Sequence, residues 1–170
     1  MTLSSSVYAQ QKSDISGCYH IQADGNTEAK GTYLHSWTHG KIVTDKDYED
    51  SAFDIKLVGK DERKGKEAGL YHLSLDGVYL TVKNGKVVGD KKKPSDTDGR
   101  WIVWEGSKGW AITYYDDETK GANALSLVSK DDGKTIGKPS QEGRYDIVLA
   151  RNNAGGRGNQ HQIWKLKKEN

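Results

Sequence analysis

The chain has 170 residues with a formal net charge of +2, and charged residues make up 29% of it. A chain of this length predicts one domain, and so small a net charge gives no reason to expect nucleic acid as a partner. No apolar run approaches the roughly 18 residues of a membrane-spanning helix, so no membrane insertion is expected. The N-terminus lacks the features of a secretory signal and Cys18 is the only cysteine, which predicts a cytoplasmic or non-classically secreted protein.

Apolar and polar residues alternate along most of the chain, which is the period of half-buried β-strands. The alternation is clear at residues 19–21, 71–75 and 125–127. Asn-Gly and Asp-Gly pairs interrupt it at short intervals, and these pairs favour the positive φ angles of tight hairpins. Only residues 60–68 carry a weak helical pattern. The sequence therefore predicts an all-β chain.

The strand pattern occurs three times, and each copy opens after a glycine: Gly17, Gly69 and Gly109. In each copy a hairpin follows whose second strand begins with Gly-Lys, and a bulky apolar strand closes the unit. Three units of four strands predict twelve strands around a pseudo-threefold axis. An up-and-down barrel or a β-sandwich would not require this recurrence. The hairpins are predicted at residues 33–43, 79–88 and 124–136, and the closing strands at 52–58, 100–105 and 162–166.

These units define the domain organisation that we expect. Residues 1–14 are predicted to be an N-terminal tail, and residues 15–170 a single domain. Residues 141–159, which contain the strand-like segment YDIVLA, lengthen the third repeat as an insertion. Trp101 and Trp164, in the second and third closing strands, are predicted core residues. The three repeats are expected at about residues 17–68, 69–108 and 109–168.

The chain's last repeat contains Gln162-Ile163-Trp164, a Gln-x-Trp signature. Three glycine-started repeats of four strands with this ending resemble the β-trefoil family, and the ending looks most like the ricin B-chain-like lectins. The lack of disulfides and of a signal peptide resembles fungal trefoils, which include lectins and protease inhibitors of the mycocypin and mycospin types. The first two repeats lack the signature. The resemblance implies a β-trefoil that acts by binding, without a cofactor.

In lectins of this family a carboxylate after the first strand of a repeat accepts hydrogen bonds from sugar hydroxyls, while an aromatic ring stacks on the sugar. The resemblance places such a site in the third repeat. Asp116 and Asp117 follow the first strand there, and Tyr114 or Tyr115 could supply the ring. Asn159 and Gln160 precede the closing strand, where an amide is expected. The same residue types are also ordinary turn formers.

The other two repeats are weaker candidates for a sugar site. The first repeat has Asp24, Asn26 and Trp37 in a similar order. The second repeat has Asp76, but only a two-residue connection leads to Val78, which leaves little room for a ligand.

Protease inhibition through an exposed loop is the alternative function. A rigid loop lowers the entropy cost of docking, and an exposed Lys or Arg would anchor a trypsin-like protease. Pro94 stiffens the loop that leads to Arg100, and Arg157 lies in a second basic loop. The expected partner is then a protease rather than a glycan.

The sequence contains no motif of a known catalytic site, such as Gly-x-Ser-x-Gly or His-Glu-x-x-His. Cys18 is predicted to be a packing residue rather than an activated thiol. His35 and His39 are the only closely spaced histidines, whereas a tight metal site needs three or four ligands. We therefore expect no catalytic residue and no metal. A non-enzymatic, carbohydrate-binding lectin is the leading hypothesis.

Overall fold

The computed structural model describes residues 14–46, 51–63, 66–127, 144–152 and 160–169. Within these residues the chain forms twelve β-strands and two short 3₁₀ turns, at Thr38–Gly40 and Gln160–Gln162. None of the described helical segments is long and apolar enough to cross a membrane. The strands are β1 (Gly17–Ala23), β2 (Tyr33–Ser36), β3 (Ile42–Asp45), β4 (Ala52–Arg63), β5 (Lys66–Leu75), β6 (Val78–Lys83), β7 (Lys86–Asp90), β8 (Arg100–Glu105), β9 (Trp110–Tyr115), β10 (Asn123–Leu127), β11 (Tyr145–Arg151) and β12 (Trp164–Lys168).

Six of these strands close into a barrel. β1 pairs with β4, β4 with β5, β5 with β8, β8 with β9, β9 with β12, and β12 with β1, all antiparallel. The other six form the hairpins β2–β3, β6–β7 and β10–β11, and the first strand of each hairpin pairs with the barrel strand before it. The same four-strand plan thus occurs three times. The fold is the predicted β-trefoil with three pseudo-symmetric repeats.

A buried aromatic residue in each closing strand sets the register of its repeat. Phe53, Trp101 and Trp164 are each at most 1% exposed, so both tryptophans are core residues, as predicted. Each one pairs with an aromatic residue in the first strand of the same repeat. The pairs are Tyr19–Phe53, Tyr71–Trp101 and Trp110–Trp164.

This register also corrects the alignment of the third repeat. Gly17 and Gly69 lie two residues before their paired aromatic residue, whereas Gly109 lies only one residue before Trp110. The barrel interior depends on the aromatic position and not on the glycine, because side chains two residues further along a strand share its face. The residues two positions on are all fully buried: Ile21, Leu73 and Ile112.

The third hairpin differs from the prediction. β10 pairs with β11 over five residue pairs, from Asn123↔Arg151 to Leu127↔Ile147. The segment YDIVLA is therefore the third strand of the repeat and not part of an insertion. The Gly133-Lys134 pair, at which the return strand was predicted to begin, lies outside the described residues. A local turn signal could not identify the partner strand, since strand pairing is a long-range contact.

The weak helical prediction for residues 60–68 is wrong. β4 extends to Arg63 and β5 begins at Lys66, and the two strands pair along this whole stretch with an irregularity between Leu57 and Gly59. The hydroxyl of Tyr115 donates a hydrogen bond to Asp61 Oδ1 at 2.9 Å, which ties the long hairpin to β9. Pairing with a neighbouring strand thus overrides a weak local propensity.

The hairpin of the first repeat contacts the hairpins of both other repeats. β3 pairs with β11, and Lys41 forms an isolated bridge with Val88 of β7. Gly40 makes this approach possible: its φ is +73°, and a Cβ there would lie 2.5 Å from the carbonyl oxygen of Gly89. The junction between two hairpins is therefore formed by backbone and side chains of two repeats.

Candidate functional site

Asp116, a predicted sugar-binding residue, forms part of a turn. Its Oδ1 accepts hydrogen bonds from the backbone N–H groups of Thr119 at 2.6 Å and Glu118 at 3.1 Å, and from the Thr119 hydroxyl at 2.7 Å. The Thr119 backbone N–H is the main cause that lowers the pKa of the Asp116 carboxyl. Asp117, next to it, is exposed. Of the two aspartates, Asp117 is the one that faces solvent.

Tyr115 does not present the open ring that the sugar-site prediction requires. It is 9% exposed, and its hydroxyl is bonded to the buried Asp61. The guanidinium carbon of Arg100 lies 4.9 Å from the centre of its ring, and Leu70 and Ile102 pack around it. Tyr115 is therefore a core residue of the β4–β5 hairpin junction.

Of the two predicted amide residues, Asn159 lies outside the described residues. Gln160 Oε1 accepts a hydrogen bond from the backbone N–H of Asn26 at 2.8 Å. Gly25 packs so tightly that a Cβ there would lie 1.8 Å from the Gln160 carbonyl oxygen. The side-chain oxygen of Gln160 thus fastens the end of the third repeat to the first loop of the first repeat.

The residues of the predicted inhibitory loop also take structural positions. Arg100 belongs to β8, where it is half-buried, and its Nε is buried without a hydrogen-bond partner. Pro94 packs on Gly99, where a Cβ would lie 3.0 Å from the proline Cγ. Arg157 lies outside the described residues. Among these residues, Pro94 shapes the loop between β7 and β8.

A cleft of about 610 Å³ lies between the β6–β7 hairpin, the loop at residues 91–99 and the end of β9. The turn at Asp76 does not line this cleft, whose space comes instead from the 91–99 loop. Sequence analysis named Tyr114 as a candidate ring and Pro94 as part of an inhibitory loop, but it did not predict that the two residues line one cleft. We call it the tyrosine cleft, lined by Tyr79, Thr81, Asp90, Ser95, Asp98 and Tyr114 among others.

Buried neighbours brace both rings of the tyrosine cleft. Tyr79 packs edge-on against His72 at 6.1 Å between ring centres, and His72 Nε2 donates a hydrogen bond to the carbonyl oxygen of Asp98 at 2.8 Å. Tyr114 packs against the core residue Trp101 at 5.0 Å. Both rings are half-buried. The cleft is therefore fixed on one side to the barrel and on the other to the loop.

The polar groups of the tyrosine cleft have defined roles. Asp90 contacts Lys83 Nζ at 2.6 Å, and this interaction is the first cause that lowers the pKa of its carboxyl. Asp98 Oδ2 accepts a hydrogen bond from Ser95 Oγ at 3.2 Å. Burial raises the pKa of Tyr114, and Asp116 and Asp98 act in the same direction. The Tyr114 hydroxyl consequently stays protonated at neutral pH, as a hydrogen-bond donor.

A second cleft, of about 430 Å³, lies at the junction of the first and second repeats. Trp37 is 40% exposed there, and it is the one exposed large hydrophobic residue in the part of the chain that the structure describes. Asp24 and Asn26, its predicted companions, belong to the β1–β2 loop, whose backbone bonds to Ile163 and Gln160. We call this site the Trp37 cleft, lined by Ser36, Trp37, Thr38, His39 and Lys91 among others.

One cluster contains the residue types of a hydrolase active site, but its serine is closed to substrate. His20 Nδ1 lies 3.0 Å from Ser51 Oγ, and His20 Nε2 contacts the carboxylate of Glu169. Serine, histidine and carboxylate in contact can activate a nucleophile. Ser51 is 0% exposed, so its hydroxyl does not meet a substrate. The cluster instead joins β1, the start of β4 and the end of β12.

Within the described ranges, no three His, Cys, Asp or Glu residues are grouped so that they could hold a metal ion. No protein-family model matches the sequence, and no curated protein sequence matches it. Solved structures do resemble it. The Rhizoctonia solani agglutinin superposes with a TM-score of 0.60 at 21% identity, over 92% of this chain and 98% of that chain.

Two further structures illustrate the range of proteins that share the fold. A Polyporus squamosus lectin, bound to the human-type influenza-binding epitope Neu5Acα2-6Galβ1-4GlcNAc, has a TM-score of 0.59 at 14% identity, over 92% of this chain and 50% of that chain. A GlcNAcα1-4Gal-releasing endo-β-galactosidase from Clostridium perfringens has a TM-score of 0.53 at 14% identity, over 90% of this chain and 32% of that chain.

At these identities the similarity concerns the fold. The match spans almost the whole Rhizoctonia agglutinin but only half of the Polyporus lectin and a third of the Clostridium enzyme. With the closed six-stranded barrel and its three hairpins, these likenesses identify the fold of the chain as a β-trefoil, which it shares with the Rhizoctonia agglutinin and the Polyporus lectin.

Proposed function

We propose that this protein binds carbohydrate, without catalysis, and that the tyrosine cleft is a sugar-binding site. The observation that carries the proposal is the pair of half-buried rings, Tyr79 and Tyr114, beside the Asp98 carboxylate in a cleft of about 610 Å³. The similarity to two lectin structures supports the same function at the level of the fold. A glycan is accordingly the proposed partner.

The chemistry of the cleft matches that of a pyranose. An aromatic ring offers an apolar surface for the C–H face of the sugar, and polar groups around it supply direction. Asp98 can accept hydrogen bonds from neighbouring sugar hydroxyls, while the Tyr114 hydroxyl remains a donor. Thr81 and Ser95 add hydroxyl groups that both donate and accept.

The loop that carries Asp98 is held in place before any ligand binds. The backbone N–H of Asp98 donates to the Ser95 carbonyl at 3.1 Å, and the Asp98 carbonyl accepts from His72 at 2.8 Å. Pro94 lies against Gly99, whose φ is +57°. A preformed loop loses little conformational entropy on binding, which favours affinity in a shallow site.

The test is a glycan-array screen of the purified chain, followed by titration of the best glycan against two matched variants. We expect Asp98→Asn to lower the affinity by about tenfold or more, because hydrogen bonds to a charged acceptor are the strong ones. Asp117→Asn makes the same charge change on the β9–β10 loop, and about a twofold change or less is expected for an exposed site.

Each outcome of these experiments either assigns the sugar to one of the two sites or contradicts carbohydrate binding. Loss of binding in Asp117→Asn but not in Asp98→Asn would place the sugar at the third repeat, where Asp117 and Asn159 were predicted to bind it. A blank array would contradict carbohydrate binding. Inhibition of trypsin or papain by the same preparation would then support the alternative function.

A further inference from the structure

Trp37 is exposed yet rigidly held. The guanidinium carbon of Arg144 lies 3.3 Å from the centre of the indole, so it covers one side of the ring. Arg144 Nε is 3.0 Å from Asp45 Oδ2, and these two side chains are only 13% and 7% exposed. The backbone N–H of Trp37 also donates to the Lys41 carbonyl at 2.7 Å. A buried ion pair therefore orients an indole whose remaining surface meets solvent.

Two repeats form the walls around this indole. The 3₁₀ turn that follows Trp37 carries His39 in a left-handed conformation, with φ of 60°. Lys91 enters from the second repeat, directly after β7. Ser36 and Thr38, which carry hydroxyl groups, line the same cleft. A ligand that stacks on Trp37 would thus meet two hydroxyl groups and two basic side chains.

The Trp37 cleft differs from the tyrosine cleft in its carboxylates: the described lining of the tyrosine cleft includes Asp90 and Asp98. Among the described residues that line it, Lys91 and His39 are basic and none is acidic. Asp90 precedes Lys91, but its carboxylate contacts Lys83 Nζ and the backbone N–H of Lys92. Lys91 forms no ion pair with a carboxylate in the described part of the chain. Asp45 compensates Arg144, so the described lining of the cleft offers the cationic charge of Lys91 to a ligand.

We propose that the Trp37 cleft is a second binding site, specific for a negatively charged sugar residue such as a hexuronic acid. The indole takes the C–H face of the ring, Lys91 pairs with the anionic group, and Ser36 and Thr38 bond to hydroxyls. This site is separate from the tyrosine cleft, so it does not depend on binding there. Carboxylated and sulfated sugars share the required chemistry.

The experiment titrates the full chain at low ionic strength with glucuronate, glucose 6-sulfate and glucose, using ligand-observed NMR. Both anionic sugars are expected to bind at least about tenfold more tightly than glucose, because only they pair with Lys91. The relative affinity of the two anionic sugars identifies whether a carboxylate or a sulfate is preferred. Equal affinity for glucose and the anionic sugars would overturn the proposal.

Two matched lysine variants test whether Lys91 causes the preference for anionic sugars. Lys91→Gln should lower the affinity for glucuronate by about fivefold to tenfold, since it removes a charge-assisted hydrogen bond. Lys93→Gln, two residues along the same loop but in the tyrosine cleft, should change it by about twofold or less. Equal losses in both variants would indicate non-specific attraction to the loop and would overturn the proposal.

Two further variants separate this site from the proposed function. Trp37→Ala should abolish glucuronate binding, and unfolding by urea checks that the variant is folded. Asp98→Asn, which is expected to impair the tyrosine cleft, should leave glucuronate binding unchanged. Loss of glucuronate binding in Asp98→Asn with full binding in Trp37→Ala would move the anionic sugar to the tyrosine cleft and overturn the proposal.

Discussion

The first and third repeats fill the same position of the fold with different aromatic residues. Trp164 closes the third repeat, and its indole N–H donates to the Leu125 carbonyl at 3.2 Å. Trp101 makes the corresponding bond to Leu80 in the second repeat, at 2.9 Å. The first repeat has Phe53 at this position, which carries no donor.

The difference shows which property of the closing residue the fold requires. All three aromatic side chains are at most 1% exposed, and all three pair with an aromatic residue of the first strand. Only two of them form the side-chain hydrogen bond. Burial of a large ring is therefore common to the repeats, and the indole bond is an addition that the first repeat lacks. Removing the ring and removing only the indole bond test this comparison, and a third experiment concerns a loop carboxylate, in decreasing order of expected effect.

Removing the ring should have the largest effect. We expect Trp164→Ala and Phe53→Ala each to lower the free energy of unfolding by about 3–5 kcal/mol, because each leaves a cavity in the barrel. Urea denaturation measures the loss, and Trp37→Ala serves as an exposed control with a loss of about 1 kcal/mol. A much smaller loss for Phe53→Ala than for Trp164→Ala would show that the repeats do not share this requirement.

Removing only the indole bond should have an intermediate effect. Trp164→Phe gives the third repeat the residue type of the first, and the Leu125 carbonyl loses its donor. We expect a decrease of about 1–3 kcal/mol in the free energy of unfolding, from the lost bond and the smaller ring. The comparison would fail if Trp164→Phe destabilised the protein as much as Trp164→Ala in the same urea titration.

The smallest effect concerns a carboxylate that stabilises a loop. Asp116→Ala removes the acceptor of the Thr119 and Glu118 N–H groups, at a cost of about 1 kcal/mol or less because the site is open to water. The folded pKa of Asp116 is lowered, so its contribution is present above the ordinary carboxyl pKa, near about 4, and is lost as pH falls through the folded value. Urea titrations at pH 7 and pH 3 measure this.

The difference in the free energy of unfolding between wild type and Asp116→Ala should accordingly be smaller at pH 3 than at pH 7. Asp117→Ala is the control for removal of a carboxylate at the neighbouring, exposed position. If the difference in the free energy of unfolding between wild type and Asp116→Ala were larger at pH 3 than at pH 7, the assigned role of the carboxylate would be contradicted.

Much of the barrel could be predicted from local pattern. The β8 strand lies at the predicted residues 100–105, while β12 begins at Trp164 rather than at residue 162, because Gln160–Gln162 forms a 3₁₀ turn. The strand β11 was assigned to an insertion instead of to a hairpin. Its pairing with β10 joins residues 20 to 28 positions apart in the chain, and no turn motif records such a contact.

The candidate sites were harder to predict than the strands. Asp116 had the right position for a sugar ligand, but the same short side chain that could bind a hydroxyl also caps its own turn. The tyrosine cleft combines Tyr79 and Asp98 of the second repeat with Tyr114 of the third. Their separation in the chain follows no motif spacing, so proximity alone reveals the site.

The sequence by itself determined the strand period, the threefold recurrence and the two buried tryptophans, because alternation and turn chemistry act between near neighbours in the chain. Only the tertiary structure decided which strand completes the third hairpin and where clefts open. Both depend on contacts between repeats, such as Lys41 with Val88 and Tyr114 beside the 91–99 loop. The packing of the repeats against each other thus decides which loops border a cleft, because the local sequences of the loops do not distinguish them.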